Sequence, residues 1–153
     1  MRCRLISHVV LTLAFCCASP LIAVALSEQG AAAKDMKDIQ GTWKVVKMEA
    51  NGESAPPEIV GSMVLVFKDN SLTFKPGEPG YTNFTFKLNP TAKPAAFDMT
   101  HVDGKSKGET KRGIYSLKKD RLKICFGKLN GRPKKFTSGN GQAMYVLERV
   151  KSE

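Results

Sequence analysis

After residue 40 the chain alternates between apolar and polar residues with a period of two, broken at intervals by Gly, Pro, Asn and Asp. The pattern is clearest over 81–88, where Phe84, Phe86 and Leu88 alternate with Thr85 and Lys87. That is the signature of a strand with one buried face. Further strands are predicted over 42–50, 63–67, 71–75, 96–101, 110–117, 121–126 and 142–150. In 96–101, Phe97, Met99 and His101 share a face, and in 121–126 Leu122, Ile124 and Phe126 do. The first strand changes parity between Val45 and Val46, which predicts a β-bulge. Residues 63–67 are apolar throughout.

Turn signals separate these runs. Asn51-Gly52, Asp69-Asn70 and Lys119-Asp120 read as tight turns, and Ala55-Pro56-Pro57-Glu58 reads as a loop. Longer breaks fall at 76–80, 89–94, 103–108 and 127–141. No long helix is predicted. Met36 and Ile39, at i, i+3 spacing, allow one helical turn over 35–40 that caps one end. Eight short strands imply an all-β, antiparallel up-and-down meander closed into an eight-stranded barrel, with a two-sheet sandwich as the alternative. Trp43, the single tryptophan, follows Gly41 at the start of the first strand and is expected to plug the closed end.

Residues 1–25 have the form of an export signal. Arg2 and Arg4 precede an apolar run over 9–22, and Ala23-Val24-Ala25 supplies small residues for cleavage. A second cleavage site follows Ala31-Ala32-Ala33. Other readings are an uncleaved anchor over 9–26 and a lipidated Cys16. Residues 26–33 read as a flexible spacer and 34–153 as the barrel domain, exported to the periplasm or beyond as a monomer with no integral membrane part after cleavage.

Of four cysteines, Cys3, Cys16 and Cys17 lie in the leader, so Cys125 is alone in the mature chain and no disulfide framework supports it. The formal charge of +10 is uneven. Lys105, Lys107, Lys111, Arg112, Lys118, Lys119, Arg121, Lys123, Lys128, Arg132, Lys134 and Lys135 face only Glu109 and Asp120 over 105–135. That excess is either a solvated face or a patch for an anionic polymer or protein. The stacked aromatics of a single-strand nucleic-acid platform are not interleaved with these lysines, which argues against nucleic acid.

The strand-borne Gly41-Thr42-Trp43, with Arg149 on the last strand, resembles the lipocalin and fatty-acid-binding barrel superfamily. The resemblance implies that Arg149 lies across the Trp43 ring and closes the barrel base. More closely, the chain resembles the lipocalin-like domain family found in many paralogous copies in planctomycete bacteria. The matching pieces include Gln40-Gly41-Thr42-Trp43-Lys44-Val45-Val46, Glu49-Ala50-Asn51-Gly52, Leu65-Val66-Phe67-Lys68 and 88–94. Gly113-Ile114-Tyr115, 120–125, Arg132-Pro133 and Phe136-Thr137-Ser138 complete a match over about 36–150. It implies the barrel and an envelope location but carries no activity.

His101 is the one histidine of the mature chain, too few ligands with Cys125 for a metal site. Asp98 and Asp103 lie near it in sequence, but no nucleophile motif accompanies them. No cofactor and no enzyme activity are expected. The residues expected to line a ligand cavity, or to fill the barrel, are Trp43, Val64, Val66, Phe84, Phe86, Phe97, Met99 and Tyr115. The leading expectation is therefore non-catalytic binding of a small apolar or amphipathic ligand or a partner protein. A surface module using the basic 105–135 face is the alternative.

Overall fold

The computed structural model describes residues 20–75, 82–128, 131–139 and 141–151, with backbone alone for 20–28. Arg2, Arg4, Cys16 and the 76–80 break lie outside the described residues. The chain runs α1 (Pro20–Ile39), β1 (Gly41–Ala50), β2 (Glu53–Ser54), α2 (Pro57–Ser62), β3 (Val64–Lys68) and β4 (Ser71–Lys75). It continues through β5 (Thr82–Asn89), β6 (Ala96–His101), β7 (Thr110–Lys118), β8 (Arg121–Phe126) and β9 (Ala143–Arg149).

Neighbouring strands pair antiparallel in the order β2-β1-β3-β4-β5-β6-β7-β8-β9, and β1 also pairs with β9. The ring from β1 and β3 to β9 is the expected closed eight-stranded, lipocalin-like barrel, with β2 as a two-residue addition. One continuous closed sheet replaces the sandwich alternative. The predicted bulge sits at Val46, since Val45 pairs with Leu147 and Lys47 with Val146. One residue is skipped, so Trp43, Val45 and Met48 all face inward. The Asn51-Gly52 turn has φ of 55° and 87° at its two residues, the left-handed pair such a hairpin requires.

Two elements differ from expectation. The helical turn expected at 35–40 is the end of a 20-residue helix that includes 26–33, read from sequence as a spacer. Ala31-Ala32-Ala33 has high helix propensity, which outweighs Gly30. The proline-rich segment read as a loop contains α2, where Pro57 sits in the first turn, the one place in a helix where proline is favoured. Val60, the buried residue of α2, joins the barrel core. Met63 carries the connection on to β3, and its carbonyl accepts the Val45 backbone N–H at 3.0 Å.

Candidate functional site

The two ends of the barrel are unlike each other. The end holding the C-terminus of α1 is sealed. Trp43 and Ile39 are fully buried, and the indole N–H donates to the Ile39 carbonyl at 2.7 Å. Arg149 comes from the far end of the chain because β9 pairs with β1, Trp43 opposite Arg149. Its guanidinium carbon lies 4.3 Å from the centre of the Trp43 ring, as the family resemblance implies. The same group donates to the carbonyls of Gln40 and Asp38 and meets Asp120 at 3.2 Å. Gly41, with φ of 107°, leaves room for this. A Cβ there would meet the Arg149 guanidinium at 3.3 Å. Tyr115 adds a tie from the barrel to α1, its hydroxyl donating to Asp35 at 2.5 Å. Burial first, and then that bond, raises the Tyr115 hydroxyl far above the ordinary tyrosine range.

The middle of the barrel is solid. Phe67 and Phe97 meet Phe86 with ring centres 5.2 and 5.8 Å apart, and Phe97 touches Tyr115 and Phe126 as well. Hence Trp43, Phe86, Phe97 and Tyr115 take the second of their two expected roles and fill the barrel. Val64 and Val66 are a correction. They point to the outside of β3, while Leu65 and Phe67 are buried. Trp43 pairs with Leu65 and so fixes the inward face, which the uniformly apolar run had not disclosed.

A cavity of about 100 Å³ remains toward the open end, above the aromatic cluster. Of the eight expected lining residues it keeps Phe84 and Met99. Leu65, Leu72, Phe74, Ile124, Phe126 and Tyr145 complete its apolar wall, and Lys111 is its one charged residue. Lys111 faces the lumen because it pairs with Met99. Sequence reasoning assigned it to the basic patch, although it stands in phase with Tyr115.

The twelve basic residues do not form one patch. Lys105 and Lys107 are exposed on the connection between β6 and β7, and Lys128 follows β8, all at the open end. Arg132 is structural, donating to the Gly113 carbonyl at 2.5 Å and contacting both Asp98 oxygens at 2.8 and 2.9 Å. It pins the 131–139 segment over the outer face of β7 and β8, where Ile114 and Cys125 are fully buried. Lys134 and Lys135 are exposed on that connection, and Arg112 is exposed on β7 opposite Asp98. Lys118, Lys119, Arg121 and Lys123 form a separate group on the outer face near the sealed end.

His101 and Cys125 lie on opposite faces of the sheet. The histidine ring packs against Phe84 with centres 4.5 Å apart, and the thiol donates to the Thr137 carbonyl at 3.2 Å. Burial raises the Cys125 pKa against the opposing pull of that bond. Asp98 is held by Arg132, and Asp103 accepts from Asn83 at 3.1 Å, so neither orients His101. Among the described residues no group of three or more His, Cys, Asp or Glu gathers to hold a metal. Among them, too, no helix is long and apolar enough to cross a membrane. The chain matches no protein-family model, no curated protein and no solved structure.

Proposed function

We propose that this chain is an exported, non-catalytic barrel that binds the apolar tip of a small amphipathic anion at its open end. The observation that carries the reading is the cavity of about 100 Å³, walled by apolar side chains and rimmed by Lys111. Drug-sized ligands occupy roughly 300–1,000 Å³, and a liquid water takes about 30 Å³. The space therefore suits a short alkyl tip of a few carbons, with the anionic end left at the Lys111 ammonium. A long lipid would have to displace the aromatic cluster, which close packing resists.

Calorimetric titration with straight-chain carboxylates of four to ten carbons tests this. Burying a few methylenes at ~0.8 kcal/mol each yields only about 2–4 kcal/mol before the cost of association, so even the best of them is expected to bind no tighter than about 1 mM. Met99→Trp, which fills the cavity, is expected to abolish binding, and Lys111→Gln to weaken it about tenfold. Native mass spectrometry of protein from its own envelope then identifies the molecule carried. A barrel that binds none of these acids and releases no molecule on unfolding rules the reading out.

A further inference from the structure

The outer face near the sealed end carries charge that the barrel itself does not use. Outward residues of β7, β8, β9 and β1 fall into two rows across the sheet. One row is Lys118, Arg121, Glu148 and Lys44, and the next is Ser116, Lys123, Val146 and Lys47. Lys118, Arg121, Lys123 and Ser116 surround a groove of about 280 Å³. Lys119, in the adjoining turn, extends the line of charge to the end of the hairpin.

Lys118 and Arg121 stand directly opposite each other, an arrangement that costs a sheet stability. Among the described residues no carboxylate lies within ion-pair distance of Lys118, Arg121, Lys123 or Lys44. This holds although Glu148 is the register partner of both Arg121 and Lys44. Lys47 is the exception in the rows, held by Glu49 at 2.6 Å.

Each cation is anchored in a closed barrel, so the charges repeat at the spacings of the sheet. Those are about 5 Å across strands and roughly 7 Å along one. We propose that this face is a binding site for a linear acidic polysaccharide, laid along the β7–β8 hairpin. Its carboxylates would meet Lys118, Arg121 and Lys123 in turn, with the Ser116 hydroxyl for a sugar oxygen.

The face lacks what other polyanionic partners need. No aromatic residue is exposed among the described residues, so unpaired bases have nothing to stack on. A folded protein needs an apolar anchor at the centre of its interface. Val146 in the rows is 4% exposed, and Val46, 42% exposed at the β1 bulge, lies two strands away from Arg121 and Lys123 and outside the groove. A flexible polymer read by charge alone needs neither.

Affinity chromatography and calorimetry with polygalacturonate test the site. The full mature chain is compared with Lys118→Gln/Arg121→Gln/Lys123→Gln and with a control, Lys87→Gln/Lys105→Gln/Lys107→Gln. Both triple variants lose the same charge, and thermal melts establish that both are folded. The hairpin triple is expected to bind at least about tenfold more weakly at 0.1 M salt. The slope of log affinity against log salt should fall by about 2 for three lost contacts. The control should stay within about threefold of the parent. Equal losses in the two triples would reduce the effect to net charge and overturn the proposal. So would tighter binding of oligothymidylate or of anionic phospholipid vesicles than of polygalacturonate.

Discussion

Replacing Arg149 by Ala is the sharpest test of how the barrel is closed. The guanidinium donates to two carbonyls at the end of α1, those of Asp38 and Gln40. A hydrogen bond to a charged group contributes about 1.5–3 kcal/mol, and an arginine over an indole adds ~0.5–2 kcal/mol. The contact with Asp120, whose side chain is 56% exposed, adds little. These terms overlap, because the freed carbonyls sit near the surface and regain water. A loss of ~3–5 kcal/mol is expected, a large fraction of the 5–15 kcal/mol that typically holds a domain together. Urea denaturation followed by Trp43 fluorescence measures it directly. Arg149→Lys keeps the charge but has no planar fork to span both carbonyls, so it should recover less than half. A double-mutant cycle with Trp43→Phe, followed by circular dichroism because that substitution removes the fluorophore, should leave a coupling of about 1 kcal/mol. If Arg149→Ala costs under ~1 kcal/mol, or Lys serves as well as Arg, the closure described here is wrong.

Gly113→Ala would set a Cβ 2.7 Å from the Cys125 carbonyl oxygen and 2.9 Å from the Phe126 ring. Backbone on one side cannot yield cheaply, so a loss of about 1–3 kcal/mol is expected in the same denaturation assay. Leu65→Ala should cost ~2–4 kcal/mol and Val66→Ala under ~1, since Leu65 faces the core and Val66 does not. The reverse order would put the opposite face of β3 inside. The folded-state pKa of Tyr115 is raised, so its stabilising effect is complete below the unfolded value near 10.0 and is lost as pH climbs above it. Burial raises Tyr145 in the same direction. Absorbance titration should therefore show both phenols ionising only as the barrel unfolds. Reversible ionisation of all tyrosines near pH 10 with an unchanged circular dichroism spectrum would contradict this.

Strand positions were legible wherever one face is polar. Phe84 and Phe86, Phe97 and Met99, and Leu122 and Ile124 all face inward as their alternation predicts. The bulge showed in the same way, because a phase change within one strand has few other causes. Phase was lost at 63–67, where both faces carry aliphatic residues and only the pairing of Leu65 with Trp43 decides. The cavity was hidden for a different reason. Alternation reports which way a side chain points but not how deep along the axis it sits. Phe86 and Phe84 share a face, yet one is locked among rings and the other borders empty space. Lys111 belongs to the basic run by its charge, although its spacing from Tyr115 places it in phase with the lumen. Arg132 looked like one more surface cation. Its bonds to Gly113 and Asp98 depend on how the 131–139 segment lies against β7 and β8, which local sequence does not encode.

The pairing of β1 with β9 also governs the order in which this protein can be completed. Every other contact in the ring joins neighbours along the chain, and a meander of that kind can grow hairpin by hairpin. The closing seam instead joins Trp43 to Arg149 and Ala50 to Ala143. Until the last strand is available, β1 and β8 are open edges, and open edges recruit other chains. The polar lid on the indole arrives with that same strand. A nascent or partly threaded chain therefore exposes its tryptophan and two unpaired edges until Ala143–Arg149 emerge. Such long-range seams belong to the slow, millisecond-to-second class of folding. The barrel's dependence on helpers should thus be set by how long its C-terminus is withheld.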